Sequence, residues 1–375
     1  FKDTRHILRV VSAIFIVIFF LVYTSSQFSA GAKLFSTVFG MNYTTGLILG
    51  AAIIVCYTAL GGFSAVCWTD AIQGTIMFFA LLAVPFMALT AIGGVDEVSL
   101  RLAELTPESL GFFPMKNGAI DSMLLASGLG WGLGYFGQPH ILTRFMAIQS
   151  PDMIRKSRII AMVWVIITLA AAVAVGVIGK AYMPDLADGE TIYMAMIDAM
   201  FPDVVAGILL TAILAAIMST ASSQLLVTAS SASKDLYALL FKKSTEGTGI
   251  VWASRITVLL ISLIAIFIAL DENSSVFGLV SCAWGGFGAA FGPLLLFSLF
   301  WKRITVQGAI AGMITGGVVD LFWYSMKSYG GVFAIYEIIP GFIASSIAIV
   351  IFSLATKLPK EIADEFEESK KPWVK

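Results

Sequence analysis

Long apolar stretches follow one another along almost the whole of this 375-residue sequence. Each is close to the roughly 20 residues that a helix needs to cross the hydrocarbon core of a bilayer. Hydrophobic residues make up 58% of the chain and charged residues 13%, and the mean hydropathy is +0.92. A soluble protein of this length cannot bury so much apolar surface. The sequence therefore predicts an all-α polytopic membrane protein.

Ten of these stretches are predicted to cross the membrane. They lie at about 8–28, 46–63, 70–93, 121–147, 159–181, 204–232, 251–269, 274–300, 305–326 and 331–355. The longest connections between them, 94–120 and 182–203, are too short for a separate soluble domain. One transmembrane domain over residues 1–356 and a charged tail over residues 357–375 therefore account for the chain.

The distribution of basic residues predicts which helix ends face the cytoplasm. If the helices alternate in direction, five regions on one side hold most of the 23 Lys and Arg residues: 1–9, 143–158, 234–255, 302–303 and 357–375. The loops on the opposite side are rich in Asp and Glu. By the positive-inside rule the basic side is cytoplasmic. The first helix is therefore predicted to run outward, and the C-terminus is predicted to be cytoplasmic.

Several classes of function have no support in the sequence. The net charge of −1 gives no reason to expect a nucleic-acid partner. The three cysteines lie in or beside apolar stretches without CxxC spacing. The sequence has no GxxxxGK[ST] loop, no metal-ligand cluster and no GxSxG motif. We therefore predict no enzymatic activity, no cofactor and no obligatory protein partner.

The fourth apolar stretch is a poor candidate for a continuous helix. Glycine and aromatic residues alternate there: Gly128, Gly130, Trp131, Gly132, Gly134, Tyr135, Phe136, Gly137, Gln138 and Pro139. In a helix interior glycine costs about 1 kcal/mol and proline about 3 kcal/mol relative to alanine. Irregular backbone persists at membrane depth where it lines a cavity or is buried in protein. We predict that this segment lines a solute site, and a closely packed glycine face with a proline kink is the alternative.

Hydroxyl side chains are concentrated in the middle of the sixth stretch, which reads AAIMSTASSQ from Ala215 to Gln224. Ala216, Ser219 and Thr220 have the i, i+3, i+4 spacing that places residues on one helix face. Hydroxyl and carbonyl oxygens can bind a small cation without a full negative charge. Ser and Thr also form ordinary interhelical hydrogen bonds, and the pattern alone favours that second interpretation.

Three acidic residues lie in or beside the apolar stretches. Asp70 is either a functional carboxylate within the membrane or the N-cap of the third helix. Asp320 is expected to pair with Lys327, and Glu337 is expected to have a structural role. The stretches contain no central chain of ionisable residues like those in proton-driven transporters. Coupling to sodium is therefore favoured over coupling to protons.

Four motifs together resemble those of the sodium/solute symporter family: YTALGGF at 57–63, AVCWTD at 65–70, GWGLGYFGQPH at 130–140 and the stretch at 216–224. The likeness continues through 281–293 and 336–341, so that it covers the whole chain. It implies a LeuT-like fold, in which two inverted repeats of five helices surround a site at the membrane midplane. It also implies that the chain holds core helices 3 to 10 and two C-terminal helices. The first three helices of the family are then expected to be missing.

The same resemblance implies the residues of the site. Those that match the solute site are Tyr23, Trp131, Tyr135 and Pro139, and Gln138 belongs to the same motif. Those that match a conserved sodium site are Ala216, through its carbonyl, and Ser219 and Thr220, through their hydroxyls. Those that match a second sodium site of some members are Asp70, Ser222 and Ser223.

The implied activity is symport of L-proline with sodium across the bacterial inner membrane by alternating access, with sodium as the coupling ion. A different solute is the first alternative: another amino acid, a sialic acid or pantothenate. A transporter-like sensor domain and a passive channel are alternatives from other classes. The tail after Lys357 holds no kinase domain, which argues against the sensor.

Overall fold

The computed structural model consists almost entirely of helices. It describes residues 3–105, 113–237, 239 and 248–369. Eight helices in this part of the chain are long and apolar enough to cross a membrane, and a shorter apolar helix covers Tyr43–Ala59. The prediction of an all-α polytopic membrane protein is confirmed.

The first half of the described chain begins with three long helices and ends in a discontinuous one. Its helices are α1 (Ile7–Phe39), α2 (Tyr43–Leu60), α3 (Phe63–Ile92), α4 (Val95–Leu105), α5 (Ser122–Gly130) and α6 (Pro139–Met146). A 3₁₀ helix at Trp131–Gly137 joins α5 to α6. Two short antiparallel strands, β1 (Met115–Lys116) and β2 (Ala119–Ile120), precede α5.

The second half contains the most buried of the long helices. Its helices are α7 (Met153–Tyr182), α8 (Ile192–Met200), α9 (Asp203–Ser230), α10 (Thr248–Ile268), α11 (Val276–Phe300), α12 (Val306–Met326), α13 (Ile338–Ala355) and α14 (Lys360–Ser369). A π-helical turn at Ser231–Tyr237 continues α9. The predicted charged tail therefore contains a helix, and Glu367 on that helix pairs with Lys302 at 2.8 Å. Residues 370–375 lie outside the described part.

Each of the ten predicted stretches corresponds to a helical segment, although several boundaries differ. The first helix continues to Phe39 instead of ending near residue 28. It can include Lys33 because the Lys33 ammonium group pairs with Asp188 at 2.9 Å and with Glu190 at 2.7 Å. The third helix begins at Phe63, seven residues before the predicted start. Because of this early start, Asp70 lies well inside the helix and not at its N-terminus.

Helix α11 lies at the centre of the bundle and is far more buried than the other long helices. It packs against α1, α12, α13 and the 3₁₀ helix. Small residues permit this, because a Cβ on Gly286 would overlap the Phe19 ring and a Cβ on Gly288 would overlap Ile338. Close backbone approach at small residues is the usual way in which helices associate in membranes.

Glu190, in the connection between α7 and α8, holds the start of α11. Its carboxylate accepts hydrogen bonds from the backbone N–H groups of Val276 at 3.0 Å and Phe277 at 2.9 Å, and from Ser275 Oγ at 2.8 Å. The first N–H groups of a helix have no intrahelical partners, so a carboxylate there is favourable. Burial alone would raise the pKa of Glu190, but Lys33 and these donors outweigh it and lower the pKa to about 2.

We expect Glu190→Gln to lower the melting temperature of the purified protein at neutral pH. The folded-state pKa of about 2 lies below the ordinary value of 4.5, so the stabilisation is complete above pH 4.5 and is lost as the pH falls towards 2. The difference in melting temperature between the variant and the wild type should therefore be smaller at about pH 3 than at neutral pH. Glu272→Gln, at an exposed position nearby, is the control. An equal difference at both pH values would contradict this account.

Candidate functional site

The fourth predicted stretch is discontinuous, as its glycines and proline suggested. Helix α5 ends at Gly130, the 3₁₀ helix follows, and Gln138 is extended with φ −78° and ψ 109°. Pro139 then occupies the first turn of α6, where its missing N–H removes no helical hydrogen bond. Loss of the regular i to i−4 pattern leaves backbone groups of this segment free for other partners.

The glycines of this segment have two different roles. A Cβ on Gly134 would overlap the Trp284 indole, and a Cβ on Gly137 would overlap the Phe287 carbonyl. Both therefore permit close packing on α11. Gly128, in contrast, has no heavy atom of the described residues within 4 Å of its Cβ position. The packing interpretation thus holds for part of the glycine run.

An aromatic cluster packs around the 3₁₀ helix. The Trp131 ring stacks on Phe277, Trp284 and Tyr336 with centroid distances of 5.5, 5.4 and 5.9 Å. The Trp284 indole N–H donates to the Trp131 carbonyl at 2.9 Å. Tyr135 makes an edge contact with Trp284 at 4.8 Å. Two of the predicted solute-site residues therefore belong to one aromatic surface, formed by the 3₁₀ helix and α11.

Gln138 is completely buried and connects the break to α11. Its side-chain amide donates to the Gly134 carbonyl at 3.2 Å and to the Trp284 carbonyl at 3.4 Å. Its side-chain oxygen is buried and has no hydrogen-bond partner among residues 3–105, 113–237, 239 and 248–369. An acceptor in this situation is costly unless another donor reaches it.

Tyr23, on α1, lies close to the start of α6. It is 8% exposed, and its ring makes an edge contact with His140 at 6.3 Å. Pro139, next to His140, lines a cavity of about 840 Å³ that extends past Gly62 to Lys234 and Arg255. These two basic residues belong to the predicted cytoplasmic side, so the cavity connects the break with that side.

A second cavity, of about 640 Å³, is lined by members of both groups of candidate cation ligands, although Ala216 and Ser222 do not line it. Its polar lining residues include Asp70, Arg144, Ser219, Thr220 and Ser223. It is formed between α3, α6, α7 and α9. The spacing of Ser219 and Thr220 on α9 predicted that they share a face, and both contribute to this cavity.

The three residues of the first candidate sodium site lie within one turn of α9. The Ser219 hydroxyl donates to the Ala216 carbonyl at 3.0 Å. Ser222, which is fully buried, donates to the Ser219 carbonyl at 3.2 Å. These oxygens are neutral acceptors of the type that a sodium ion prefers over sulfur or nitrogen ligands.

Asp70 is not a helix N-cap. Gly62 is the N-cap of α3, and Asp70 follows well inside the helix. Its carboxylate pairs with Arg144 of α6 and accepts a hydrogen bond from Ser223 at 3.1 Å. The Arg144 guanidinium also donates to Ser223 at 2.8 Å. In the sequence Arg144 belongs to the basic region 143–158, 74 positions from Asp70, so no local pattern predicts the pair.

A second polar contact was also missed. Thr24 and Ser25, which follow Tyr23 on α1, are fully buried. The Thr24 hydroxyl donates to the Gln224 side-chain oxygen of α9 at 3.4 Å. The run of hydroxyls after Tyr23 was a detectable indication, because buried polar residues inside an apolar helix need partners.

Comparison with known proteins agrees with this architecture. The family model described as "Sodium:solute symporter family" matches residues 1–316. The sodium/proline symporter of Salmonella typhimurium (strain LT2) is 46% identical over 373 residues, covering 97% of this chain and 73% of that protein. The sodium/proline symporter of Escherichia coli (strain K12) is 46% identical over 367 residues, covering 96% and 72%.

A solved structure is similar over most of the fold. It is a Na⁺-coupled sialic acid symporter in a substrate-bound, outward-open state, and it matches with a TM-score of 0.72 at 20% identity. The match covers 92% of this chain and 75% of that one. The fold is that of the LeuT-like secondary transporters, as predicted. The chain belongs to the sodium:solute symporter family, a family of transporters and not of enzymes.

Proposed function

We propose that this protein imports L-proline together with sodium across the bacterial inner membrane, with its C-terminus in the cytoplasm. The observation that carries the proposal is the break between α5 and α6: its 3₁₀ helix carries an aromatic surface, and α6, which follows the break, lines a cavity together with candidate cation ligands of α9. The 46% identity to two sodium/proline symporters supports proline as the solute.

The aromatic surface suits the chemistry of proline. A pyrrolidine ring is apolar, and an aromatic side chain buries it without requiring polar partners. Tyr135 is exposed in this structure, whereas the Trp131 ring stacks on its neighbours and would have to leave one of these contacts to face the solute. Tyr23 and Pro139 lie on the other side of the break, next to His140. The buried Gln138 oxygen is an acceptor for which the solute's ammonium group is a suitable donor.

Sodium is proposed to bind the Ala216 carbonyl and the hydroxyls of Ser219 and Thr220. In the structure the Ser219 hydroxyl donates to the Ala216 carbonyl. Rotation of the hydroxyl group about its Cβ–Oγ bond would turn a lone pair of the oxygen towards an ion beside that carbonyl. An ion shifts a conformational equilibrium only if it binds one state more tightly than another. Sodium binding to this face of α9 would stabilise the state that accepts the solute.

A second sodium is proposed to bind Asp70, Ser222 and Ser223. Arg144 pairs with Asp70 in this structure, so the proposed ion would exchange with the guanidinium during the cycle. We expect Asp70→Asn to reduce the number of sodium ions transported per proline by one. Asp96→Asn, at an exposed position beside α3, is the matched control. An unchanged ratio of sodium flux to proline flux in Asp70→Asn would rule out the second site.

The proposal is tested by binding of radiolabelled proline to the purified protein, expressed from its complete gene. Sodium should raise the affinity for proline compared with an equal concentration of potassium. Unlabelled sialic acid and pantothenate should compete poorly. Absence of sodium-dependent proline binding, together with sodium-dependent binding of sialic acid or pantothenate, would reject proline as the solute and keep the mechanism.

A further inference from the structure

Two buried carboxylates face each other where α12 and α13 pack against α11. Asp320 on α12 and Glu337 at the start of α13 are both fully buried. A Cβ placed on Gly285 would lie 2.9 Å from Asp320 Oδ1 and 3.3 Å from Glu337 Cγ. Gly285 therefore lets both acidic side chains lie directly against the α11 backbone, where any larger residue would collide with them.

The expected pair of Asp320 with Lys327 is not formed. Lys327 follows the end of α12 on a short 3₁₀ turn, and its ammonium group approaches Glu337 Oε2 at 3.4 Å. Both carboxylate oxygens of Asp320, and Glu337 Oε1, are buried without a hydrogen-bond partner in the described part of the chain. Asp320 points inward from its helix, whereas the Lys327 side chain is 47% exposed.

The charges around this pair do not balance. The titratable groups that face it in the described residues are Lys327, Tyr324, Cys282 and Tyr336, and Lys327 alone among them carries a positive charge. Two ionised carboxylates would therefore leave a net negative charge buried at a helix junction. An uncompensated buried charge is far less stable than a neutral or fully paired group.

We propose that Asp320 and Glu337 form a binding site for one monovalent cation, either a proton shared between the carboxyl groups or a sodium ion. The site is separate from the cation ligands of α9. Three unpaired buried oxygens can accept the bound cation, and the missing side chain at Gly285 lets both carboxyl groups converge on the same part of α11. A pair of carboxyl groups at close range commonly holds a single proton for the same electrostatic reason.

This site is joined to the aromatic cluster. Tyr336, the neighbour of Glu337, stacks on Trp131, and its backbone N–H donates to Ser127 Oγ of α5 at 3.0 Å. The Tyr336 hydroxyl donates to the Ser281 carbonyl of α11 at 2.9 Å. A cation on Glu337 would therefore fix the junction that supports the break between α5 and α6.

The test measures cation binding without solute, so its outcome does not depend on whether proline is transported. Infrared spectra of the unaltered protein are recorded in choline buffer, which contains no small metal cation, and again after sodium is added. The band of a protonated carboxyl group should be present in choline. Persistence of that band in sodium identifies the proton, and its loss identifies sodium.

Variants assign the band to this pair. Asp320→Asn should remove the band in choline, because Glu337 alone is neutralised by Lys327. Glu337→Gln should shift the band, because the remaining Asp320 carboxyl group loses its acidic neighbour. Asp185→Asn, at an exposed loop position, should leave the band unchanged. If sodium is the occupant, bound ²²Na⁺ per protein should fall by one in both site variants. If one site variant fails to fold, the spectra of the other variant and of the wild type still show whether the band belongs to this pair. Two results would overturn the proposal. The first is a wild-type spectrum in choline without the carboxyl band. The second is a folded site variant in which both the band and the amount of bound ²²Na⁺ are the same as in wild type.

Discussion

Gly137→Ala should reduce sodium-dependent uptake at least tenfold. The new Cβ would overlap the Phe287 carbonyl, and a backbone atom within the most buried helix cannot rotate away. Overpacking of this kind costs about 1–3 kcal/mol, and a strain of about 1.4 kcal/mol in the transport-competent arrangement already corresponds to a factor of ten. The variant is compared with wild type by initial uptake rate per protein in the membrane.

The matched control is Gly128→Ala, nine positions earlier in the same glycine run. Its Cβ position is open in the described part of the structure, and alanine favours helix over glycine by about 1 kcal/mol. We expect near-normal uptake from this control. Equal uptake by both variants would show that the 3₁₀ helix does not need its close approach to α11.

Thr220→Ala and Ser219→Ala should each raise the sodium concentration that gives half-maximal uptake by roughly 10- to 100-fold. Loss of one partner of a buried polar interaction costs about 1–3 kcal/mol, and each 1.4 kcal/mol is about a factor of ten in affinity. The maximal rate at saturating sodium should change less, because the solute surface around Trp131 is intact. The measurement is proline uptake as a function of sodium concentration.

Thr211→Ala is the control for both hydroxyl variants. Thr211 lies on the same helix and is exposed, and its hydroxyl donates to the Ile208 carbonyl at 2.6 Å. Its removal should leave the sodium dependence unchanged. If Ser219→Ala and Thr220→Ala behave like Thr211→Ala, the hydroxyls of α9 serve only in helix packing, which was the interpretation that the residue pattern alone favoured.

Much of the fold was predictable because a bilayer requires every spanning segment to satisfy its own backbone hydrogen bonds. Apolar stretches of the right length therefore located the helices. The helix ends were less predictable, because they depend on distant residues. Lys33 extends α1 through salt bridges to Asp188 and Glu190, which are 155 and 157 positions away.

The candidate site was predictable in its residue types but not in its pairings. The glycines marked the break, yet only the packed structure shows that Gly134 and Gly137 face Trp284 and Phe287. Arg144 lies 74 positions from Asp70, so their pair left no local pattern.

For Asp320, a local sequence pattern predicted a pair that the structure does not contain. Nearness in sequence suggested that Asp320 pairs with Lys327, but α12 directs the carboxylate inward towards Gly285 while Lys327 continues past the helix end to Glu337. Helix direction decides such contacts, and sequence separation does not.

The most direct test of the account is uptake of radiolabelled proline into proteoliposomes that contain the protein expressed from its complete gene. An inward sodium gradient is compared with an equal potassium gradient. We predict that sodium drives the internal proline concentration above the external one and that potassium does not. Equilibration without accumulation under both gradients would contradict coupled transport.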